Sequence, residues 1–218
     1  MMERLLRPEV AVAEASDRDW DADVPPEESA HVARAGARRR REFAAGRACA
    51  RRALARLGLE LGPLPSGPDR APVWPEAVVG SITHCAGYCA AAVARRRDVL
   101  ALGIDAEVNA PLPEGVAELV CTGRELSWSG DGDRGPTPWR TLIFSAKESI
   151  YKAWQPLTGR WLGYLDVELT IDPDHGCFEG RLLVPADPAL GEGFQGFRGR
   201  FATTATHVLT AVTLPPVI

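Results

Sequence analysis

Long apolar runs are missing from this sequence. No stretch approaches the roughly 20 consecutive apolar residues that a membrane-spanning helix needs, and residues 1–8 lack the apolar core of a secretory signal. The 218 residues are 45% hydrophobic and 25% charged, which is ordinary for a globular protein. We therefore expect a cytoplasmic protein without a membrane segment, long enough for one domain or two small ones.

Cysteine and histidine are scarce and scattered. The five cysteines are odd in number and show no paired metal-ligand spacing, and the four histidines form no zinc motif. We predict that the thiols are reduced, as is usual in the cytoplasm. The cysteines are Cys49, Cys85, Cys89, Cys121 and Cys177.

The net charge is only −4, but the charges are unevenly distributed. Residues 1–30 contain nine acidic side chains and three arginines, whereas residues 32–57 contain nine arginines and one acid, Glu42. A basic block of this kind attracts polyanions, such as a phosphorylated cofactor, a nucleic acid or an acidic protein. Because the chain as a whole is not basic, we do not predict a general nucleic-acid-binding protein.

The order of predicted elements indicates an α+β fold. A long helical pattern begins at Pro26 and ends near Leu57, with Asp23 as a possible cap and Gly58 as a stop. The later elements suggest two α+β halves that join near Asp98, with an N-terminal subdomain at 1–98 and a C-terminal subdomain at 99–218. Predicted strands are 78–84, 88–94, 99–107, 165–171, 178–184, 197–203 and 208–214, and predicted helices lie near 114–119 and at 141–154.

Three carboxylates stand in two short segments of opposite periodicity. In the strand at 99–107, Leu100, Leu102 and Ile104 share one face, and Asp105 and Glu107 share the other. Carboxylates at i and i+2 can converge on one ion, and Mg²⁺ takes one or two carboxylates together with water and phosphate oxygens. This pattern indicates phosphate chemistry, although Asp-x-Glu on a strand is also often a solvated face.

The helix at 141–154 carries the third carboxylate. Glu148 and Lys152 lie one turn apart, on a different side from the apolar Ala146, Ile150, Ala153 and Trp154. Glu148 could complete a metal site or act as a base, and Lys147 and Lys152 could neutralise phosphate. A plain surface ion pair between Glu148 and Lys152 is the alternative.

Two arginines of the first helix fall on or beside its core-facing side. Arg39 shares that face with Val32 and Phe43, and Arg47 lies at its edge. Burying an unpaired charge is costly. Either acidic side chains or a bound anion must therefore meet these arginines.

The ordered motifs resemble those of the surfactin/enterobactin-type 4′-phosphopantetheinyl transferases. The resemblance covers roughly residues 30–170, where each block alone is weak and the ordered set is specific. It is carried by Gly103-Ile-Asp105-Ala-Glu107, Phe144-x-Ala-Lys147-Glu148-x-x-Tyr-Lys152, Arg39-Arg-Arg-Glu42-Phe43-x-x-Gly46-Arg47, Pro72-Val-Trp74-Pro75, Gly80-Ser-Ile-Thr83-His84 and Trp161-Leu-Gly163-Tyr164.

The resemblance implies an enzyme that moves the 4′-phosphopantetheine arm of coenzyme A to a serine of an apo acyl or peptidyl carrier protein and releases adenosine 3′,5′-bisphosphate. It further implies a monomer of two similar α/β subdomains in a pseudo-two-fold arrangement, with coenzyme A in the cleft between them. Carriers of fatty-acid, polyketide, nonribosomal-peptide and siderophore synthesis all remain open, as does Mn²⁺ beside Mg²⁺.

The resemblance also implies roles for individual residues. Asp105, Glu107 and Glu148 would hold Mg²⁺, and Glu148, Asp105 and Lys152 would be the catalytic residues. The adenosine side and its 3′-phosphate would contact Arg39, Arg47, Thr83 and His84, and Lys147 and Lys152 would face the pyrophosphate. Arg70, the only cation in a loop where relatives often carry lysine, would be a further coenzyme A contact, and which phosphate it reaches is open.

Two other functions fit the same motifs. A hydrolase would pass the pyrophosphate bond of coenzyme A to water, and a non-catalytic module would bind coenzyme A or a carrier protein for regulation. The presence of all three carboxylates and both lysines disfavours the second alternative, because binding alone needs no complete metal site.

Overall fold

A computed structural model describes residues 1–60, 62–67, 71–130, 137–191 and 193–216. Within these ranges the chain forms eight β-strands and five α-helices. The strands are Ala11–Glu14 (β1), Val78–Cys85 (β2), Tyr88–Arg95 (β3), Ala101–Val108 (β4), Val167–Asp172 (β5), Cys177–Leu182 (β6), Gly196–Thr203 (β7) and His207–Leu214 (β8). The helices are Pro26–Ser29 (α1), Ala37–Arg56 (α2), Ala117–Val120 (α3), Gly123–Ser129 (α4) and Trp139–Thr158 (α5).

The strands form two antiparallel sheets. One has three strands in the order β1-β3-β2, and the other has five in the order β4-β8-β7-β6-β5. Helix α2 packs on β3, and α5 packs on β4 and β8. We call β1–β3 with α2 the three-stranded unit, and β4–β8 with α5 the five-stranded unit. The predicted mixed α+β fold is confirmed.

The two sheets meet at their edges, where β2 lies beside β4. The backbone N–H of Ile104 donates to Ser81 Oγ at 3.1 Å, and that of Ala106 donates to Thr83 Oγ1 at 3.0 Å. From the first contact to the second, the residue number rises by two on both strands, so β2 and β4 run parallel. The hydroxyl side chains of Ser81 and Thr83 join the two strands. Asp105 lies between these two contacts and is thereby fixed at the seam.

One apolar face extends over both sheets. Leu102 and Ile104 contribute to it, as predicted, whereas Leu100 packs against the other core cluster, beside α5. Met2 and Leu5, in the N-terminal 3-10 turn Met2–Leu5, pack against this face. Because strand side chains alternate, Asp105 and Glu107 point away from this face, toward α5.

Helix α5 lies unusually close to β4 at Gly103. A Cβ atom on Gly103 would stand 1.9 Å from the backbone oxygen of Ser149. The missing side chain therefore lets the helix approach the strand directly. This approach brings Glu148 and Lys152 beside the carboxylates of β4.

The helix predicted from Pro26 to Leu57 is wrong as one continuous element. The chain forms α1, a 3-10 turn at Ala30–Val32, and then α2, which begins after Gly36 in an extended conformation. Glycine is a poor helix former, and here it serves as the N-cap. The predicted stop at Gly58 is confirmed, because this residue has a φ of 71° just past the helix end.

The acidic N-terminal segment meets the basic block. Arg52 pairs with Asp19, and Arg41 binds Asp21 at 3.0 Å. Arg56 donates to the backbone oxygen of Val12. Several arginines of the basic block are thus paired with groups of the N-terminal segment. Among the described residues, no helix is both long and apolar enough to cross a lipid bilayer.

Candidate active site

Asp105 is the centre of the polar cluster at the seam. It is 4% exposed, and its Oδ1 accepts hydrogen bonds from Lys152 Nζ at 2.6 Å and from the Thr83 hydroxyl at 3.2 Å. Its Oδ2 is buried and has no hydrogen-bond partner among the described residues. A buried carboxylate oxygen without a partner is costly and indicates a group that binds there.

Glu107 lies on the same face of β4, two residues further on. Burial raises the pKa of its carboxyl to about 7, and the charges of Asp105 and Glu148 add to this effect while Lys152 opposes it. Glu107, Asp105 and Glu148 therefore lie close enough to repel one another. A cation between them would relieve that repulsion.

Glu148 projects from α5 toward the same region. Its Oε1 accepts a hydrogen bond from the hydroxyl of Tyr164, which lies in the 3-10 turn Tyr164–Asp166. Burial and then this bond raise the pKa of Tyr164, so its hydroxyl remains a donor. A cavity of about 250 Å³ opens here, and its walls include Glu148, Tyr151, Trp161, Leu162 and Tyr164.

Lys152 and Lys147, the two lysines of the sequence, have different surroundings. Lys152 is 27% exposed and donates to Asp105 and to the backbone oxygen of Ile104 at 3.3 Å, so one of its three donors has no partner among the described residues. Lys147 is 2% exposed, and its ammonium donates to Glu125 at 2.7 Å and to the backbone oxygens of Val120 and Tyr164, both at 2.8 Å.

The arginines of α2 lie on the other side of the seam. Arg39 is half exposed and donates to Nε2 of His84. Burial, followed by the Arg39 charge, lowers the pKa of His84. A cavity of about 820 Å³ lies beside them, and its walls include Arg39, Phe43 and Ser66.

Arg47 is buried at 4% exposure. It stacks on the Phe43 ring at 4.4 Å, donates to Ser66 Oγ at 2.8 Å and pairs with the buried Glu28 at 4.0 Å. Burial lowers the pKa of Arg47 to about 10. An acidic side chain therefore meets this arginine, which was one of the two possibilities that its place on the helix left open.

Comparison with known proteins decides the family. The 4′-phosphopantetheinyl transferase N-terminal domain matches residues 27–94, and the 4′-phosphopantetheinyl transferase superfamily model matches residues 101–197. The chain belongs to the 4′-phosphopantetheinyl transferase superfamily. The predictions of this superfamily and of a transferase of this type are confirmed.

Three relatives illustrate the similarity. The chain is 50% identical over 213 residues to 4′-phosphopantetheinyl transferase Svp of Streptomyces mobaraensis, over 95% of this chain and 87% of that protein. It is 41% identical to 4′-phosphopantetheinyl transferase PptT of Mycobacterium tuberculosis, over 87% and 85% of the two chains. Enterobactin synthase component D of Escherichia coli K12 is 36% identical over 64% of this chain and 66% of its own.

The metal site expected for this superfamily needs a correction. In the described part of the chain, no three Asp, Glu, His or Cys side chains are gathered in a way that could hold a metal ion. Glu148, the third predicted ligand, accepts a hydrogen bond from Tyr164. The donors on β4 still fit Mg²⁺, because Asp105 Oδ2 lacks a partner and Mg²⁺ takes only one or two carboxylates.

Two further expectations for the transferase superfamily differ from the structure. Lys147 does not face the seam, because all three of its donors are engaged in the buried contacts described above. Thr83, expected on the adenosine side, is 2% exposed, and its hydroxyl donates to Asp105 and accepts from the backbone N–H of Ala106. Arg70 lies outside the described residues.

Two residues of the polar network at this site were not predicted from the sequence. Tyr164 was noted only as part of a motif, and Glu125 was not singled out at all. The signal for Glu125 was present, because Thr122-x-x-Glu125 is a capping-box pattern, and both of its hydrogen bonds form at the start of α4. No sequence rule connects Tyr164 with Glu148 sixteen positions earlier.

Proposed function

We propose that this protein transfers the 4′-phosphopantetheine arm of coenzyme A to a serine of an apo acyl or peptidyl carrier protein, in a Mg²⁺-dependent reaction that releases adenosine 3′,5′-bisphosphate. The observation that carries the proposal is the unpartnered, buried Oδ2 of Asp105 beside Glu107 and Lys152. Family membership supplies the reaction class, and this cluster supplies a place for a cation and a pyrophosphate.

Asp105 and Glu107 would hold the ion, which is Mg²⁺ or, with the same oxygen ligands, Mn²⁺. When bound, the ion neutralises charge on the pyrophosphate. Lys152 has a further donor beside Asp105 and would contact the same phosphates. Displacement at phosphorus depends on such charge neutralisation and on in-line positioning more than on covalent help from the protein.

The two cavities would take the two ends of coenzyme A. The larger cavity, beside Arg39 and His84, would take the adenosine end with its 3′-phosphate. Arg47 would support it from behind through Phe43 and Ser66. The smaller cavity is lined by aromatic rings and would take the pantetheine arm. Arg70 remains a predicted phosphate contact of the adjoining loop.

The protein must also activate the serine of the carrier. We propose that Glu148 removes the proton of the serine hydroxyl, because a hydroxyl is a weak nucleophile until a base takes its proton. The serine oxygen then bonds to the phosphorus of the arm, and the bond from that phosphorus to the bridging oxygen breaks. Adenosine 3′,5′-bisphosphate leaves with that oxygen, so the bonds and charges balance.

The test is incubation with coenzyme A, Mg²⁺ and a panel of apo carrier proteins, followed by mass spectrometry. A carrier that gains the phosphopantetheine mass supports the transferase. Free phosphopantetheine without a modified carrier supports the hydrolase, and binding without turnover supports the regulatory module. The carrier that reacts fastest identifies the pathway among those left open.

Two variants test the assignments within the site. Asp105→Ala is expected to lower the rate of transfer about 1,000-fold, the scale on which a main charge-stabilising group acts. An undiminished rate would reject the cluster as the active site. Glu148→Gln is expected to lower the rate strongly while Mn²⁺ binding, followed by electron paramagnetic resonance, is retained. Loss of Mn²⁺ binding in Glu148→Gln would instead make Glu148 a ligand.

We also propose a monomer located in the cytoplasm. All five cysteines are free thiols, which suits a reducing compartment. Light scattering on the purified protein measures the mass in solution, and a mass near that of two chains would reject the monomer.

A further inference from the structure

Tyr164 holds the carboxylate of Glu148. The tyrosine hydroxyl donates to Oε1, and its ring packs against Phe144 with 5.7 Å between the ring centroids. Phe144 precedes Glu148 by one turn on α5, so the helix that carries the carboxylate also supports the ring. Both contacts therefore join Tyr164 to α5, the helix that carries Glu148.

The backbone of Tyr164 is fixed by Lys147. The lysine ammonium donates to the backbone oxygen of Tyr164, and it is itself held by Glu125 and by the backbone oxygen of Val120. Glu125 is 2% exposed and also accepts from the backbone N–H groups of Thr122 and Leu169 at 2.6 and 2.7 Å. A buried polar network of this kind is rigid, because each member is fully satisfied.

We propose that Tyr164 is the positioning residue for Glu148, and that Lys147 acts behind it by fixing the turn that carries the tyrosine. This inference rests on the proposed function, since it concerns the group that takes the proton from the carrier serine. With Oε1 bound by Tyr164, only Oε2 of the carboxylate is presented to the serine.

The physical reason is the flexibility of a glutamate side chain. A base must lie within hydrogen-bond reach of the proton that it removes, and a displacement of about 1 Å can cost on the order of 100-fold in rate. A glutamate with three rotatable bonds and no partner would populate several rotamers. The tyrosine hydroxyl selects one of them before the substrate binds.

Tyr164→Phe tests this inference, because it removes only the hydroxyl and keeps the ring on Phe144. We expect kcat to fall about tenfold, as for the loss of one charge-assisted hydrogen bond, with little change in the KM for coenzyme A. Tyr88→Phe, which removes the hydroxyl of a tyrosine on β3, is the matched control and should keep the wild-type kcat. An unchanged kcat in Tyr164→Phe overturns the proposal.

A double-mutant cycle separates positioning from a merely structural role. In a Glu148→Ala background the tyrosine has no carboxylate to position, so adding Tyr164→Phe should lower the residual single-turnover rate by less than twofold. A further tenfold fall in that background would show independent effects and would overturn the proposal.

The same variants distinguish failure of this inference from failure of the proposed function. If the wild-type protein transfers nothing to any carrier, the proposed function fails, and urea unfolding of the four proteins in the cycle still measures the contact. Equal shifts of the urea midpoint for Tyr164→Phe with and without Glu148 overturn the contact itself. A smaller shift in the Glu148→Ala background supports it.

Lys147→Met alone leaves the buried carboxylate of Glu125 unpaired and destabilises the fold. The variant for the second part of the network is therefore Lys147→Met with Glu125→Gln. It removes both charges together. We expect a lower kcat, with the defect again absent in the Glu148→Ala background. A wild-type kcat in this double variant would exclude Lys147 from the positioning network.

Discussion

The two long helices of this protein use their charges in opposite ways. Helix α2 has several arginines on its surface, and they pair with acids of the N-terminal segment, as Arg41 does with the exposed Asp21. Helix α5 carries both lysines of the sequence, and one of them is fully buried against Glu125. Most arginines of α2 thus lie at the surface, where an ion pair contributes little stability, and Arg47, buried against Glu28, is the exception. On α5, Lys147 is buried against Glu125, where each partner depends on the other.

The cores of the two units also differ, in the size of the side chains that they pack. The three-stranded unit packs small residues between α2 and its sheet, among them Ala45, Ala50, Ala53 and Ala91. The five-stranded unit packs large side chains around α5, including Trp154, Phe178 and Phe197. Large interlocking side chains leave little freedom for α5. The carboxylates that we assign to the chemistry are therefore attached to the more constrained unit.

Lys147→Met is the strongest test of this comparison. It leaves Glu125 as an unpaired buried charge, so we expect the free energy of unfolding to fall by about 3 to 5 kcal/mol. Urea denaturation measures this change. Arg41→Met breaks the exposed pair on α2 and should cost less than about 1 kcal/mol. Similar costs for the two variants would mean that the two units do not differ in the way described.

The sequence predicts where Glu148 and Lys152 of α5 lie, but it does not predict that Lys147 is buried. Glu148 and Lys152 stand out because they are one helical turn apart, and the strand pattern assigns Asp105 and Glu107 to one face. The spacing does not reveal that Lys147 points to Glu125, since that contact depends on where α4 packs against α5. Tertiary packing decides which charged residues of a helix become buried, and sequence periodicity reports only that they share a face.

Gly103→Ala tests how closely α5 must approach its strand. The added methyl group would overlap the backbone oxygen of Ser149, which cannot rotate away, so we expect a loss of about 3 kcal/mol and a lower rate of transfer. The matched control is Gly123→Ala on α4, where the new Cβ would meet nothing within 4 Å. This control should be neutral or slightly stabilising. Equal stability of the two variants would contradict the close packing of α5.

Gly80, on β2 of the three-stranded unit, can be compared with Gly103 on β4 of the five-stranded unit. At Gly80 a new Cβ would stand 2.6 Å from the ring of Trp74, which is a side chain and not a backbone atom. Gly80→Ala should therefore cost less than Gly103→Ala, about 1 to 2 kcal/mol. Thermal unfolding of both variants measures the difference. A larger cost at Gly80 would place the more constrained packing in the three-stranded unit.

The sequence predicted most of the fold for a simple reason. The strands from residue 78 onward alternate or are continuously apolar, and their observed ends lie within two residues of the predicted ones. The short strand β1 was missed, because four residues carry too little pattern. The separation of α1 from α2 was missed because both segments contain good helix formers on either side of Gly36.

The smallest effect that we predict concerns His84, at the seam between the units. Burial and the Arg39 charge lower its pKa below the ordinary 6.5, while Glu42 and Asp105 oppose this shift and Lys152 adds to it. The unfolded chain therefore binds the extra proton first as the pH falls. The contribution of His84 to the free energy of unfolding should therefore decrease as the pH falls below about 6.5 and level off below the pKa of the folded state. The raised pKa of Glu107 acts in the opposite direction over the same range, so the effect of His84 is measured as a difference between variants.

The free energy of unfolding of wild type minus that of His84→Gln, measured by urea unfolding between pH 5 and 7.5, should decrease as the pH falls. Arg39→Met removes the neighbouring cation and should weaken this pH dependence only in part, because burial remains the larger cause. If the difference between wild type and His84→Gln instead grows as the pH falls through this range, His84 gains a proton on folding. Its contact with Arg39 would then not be the one described, because two cations at hydrogen-bond distance repel each other.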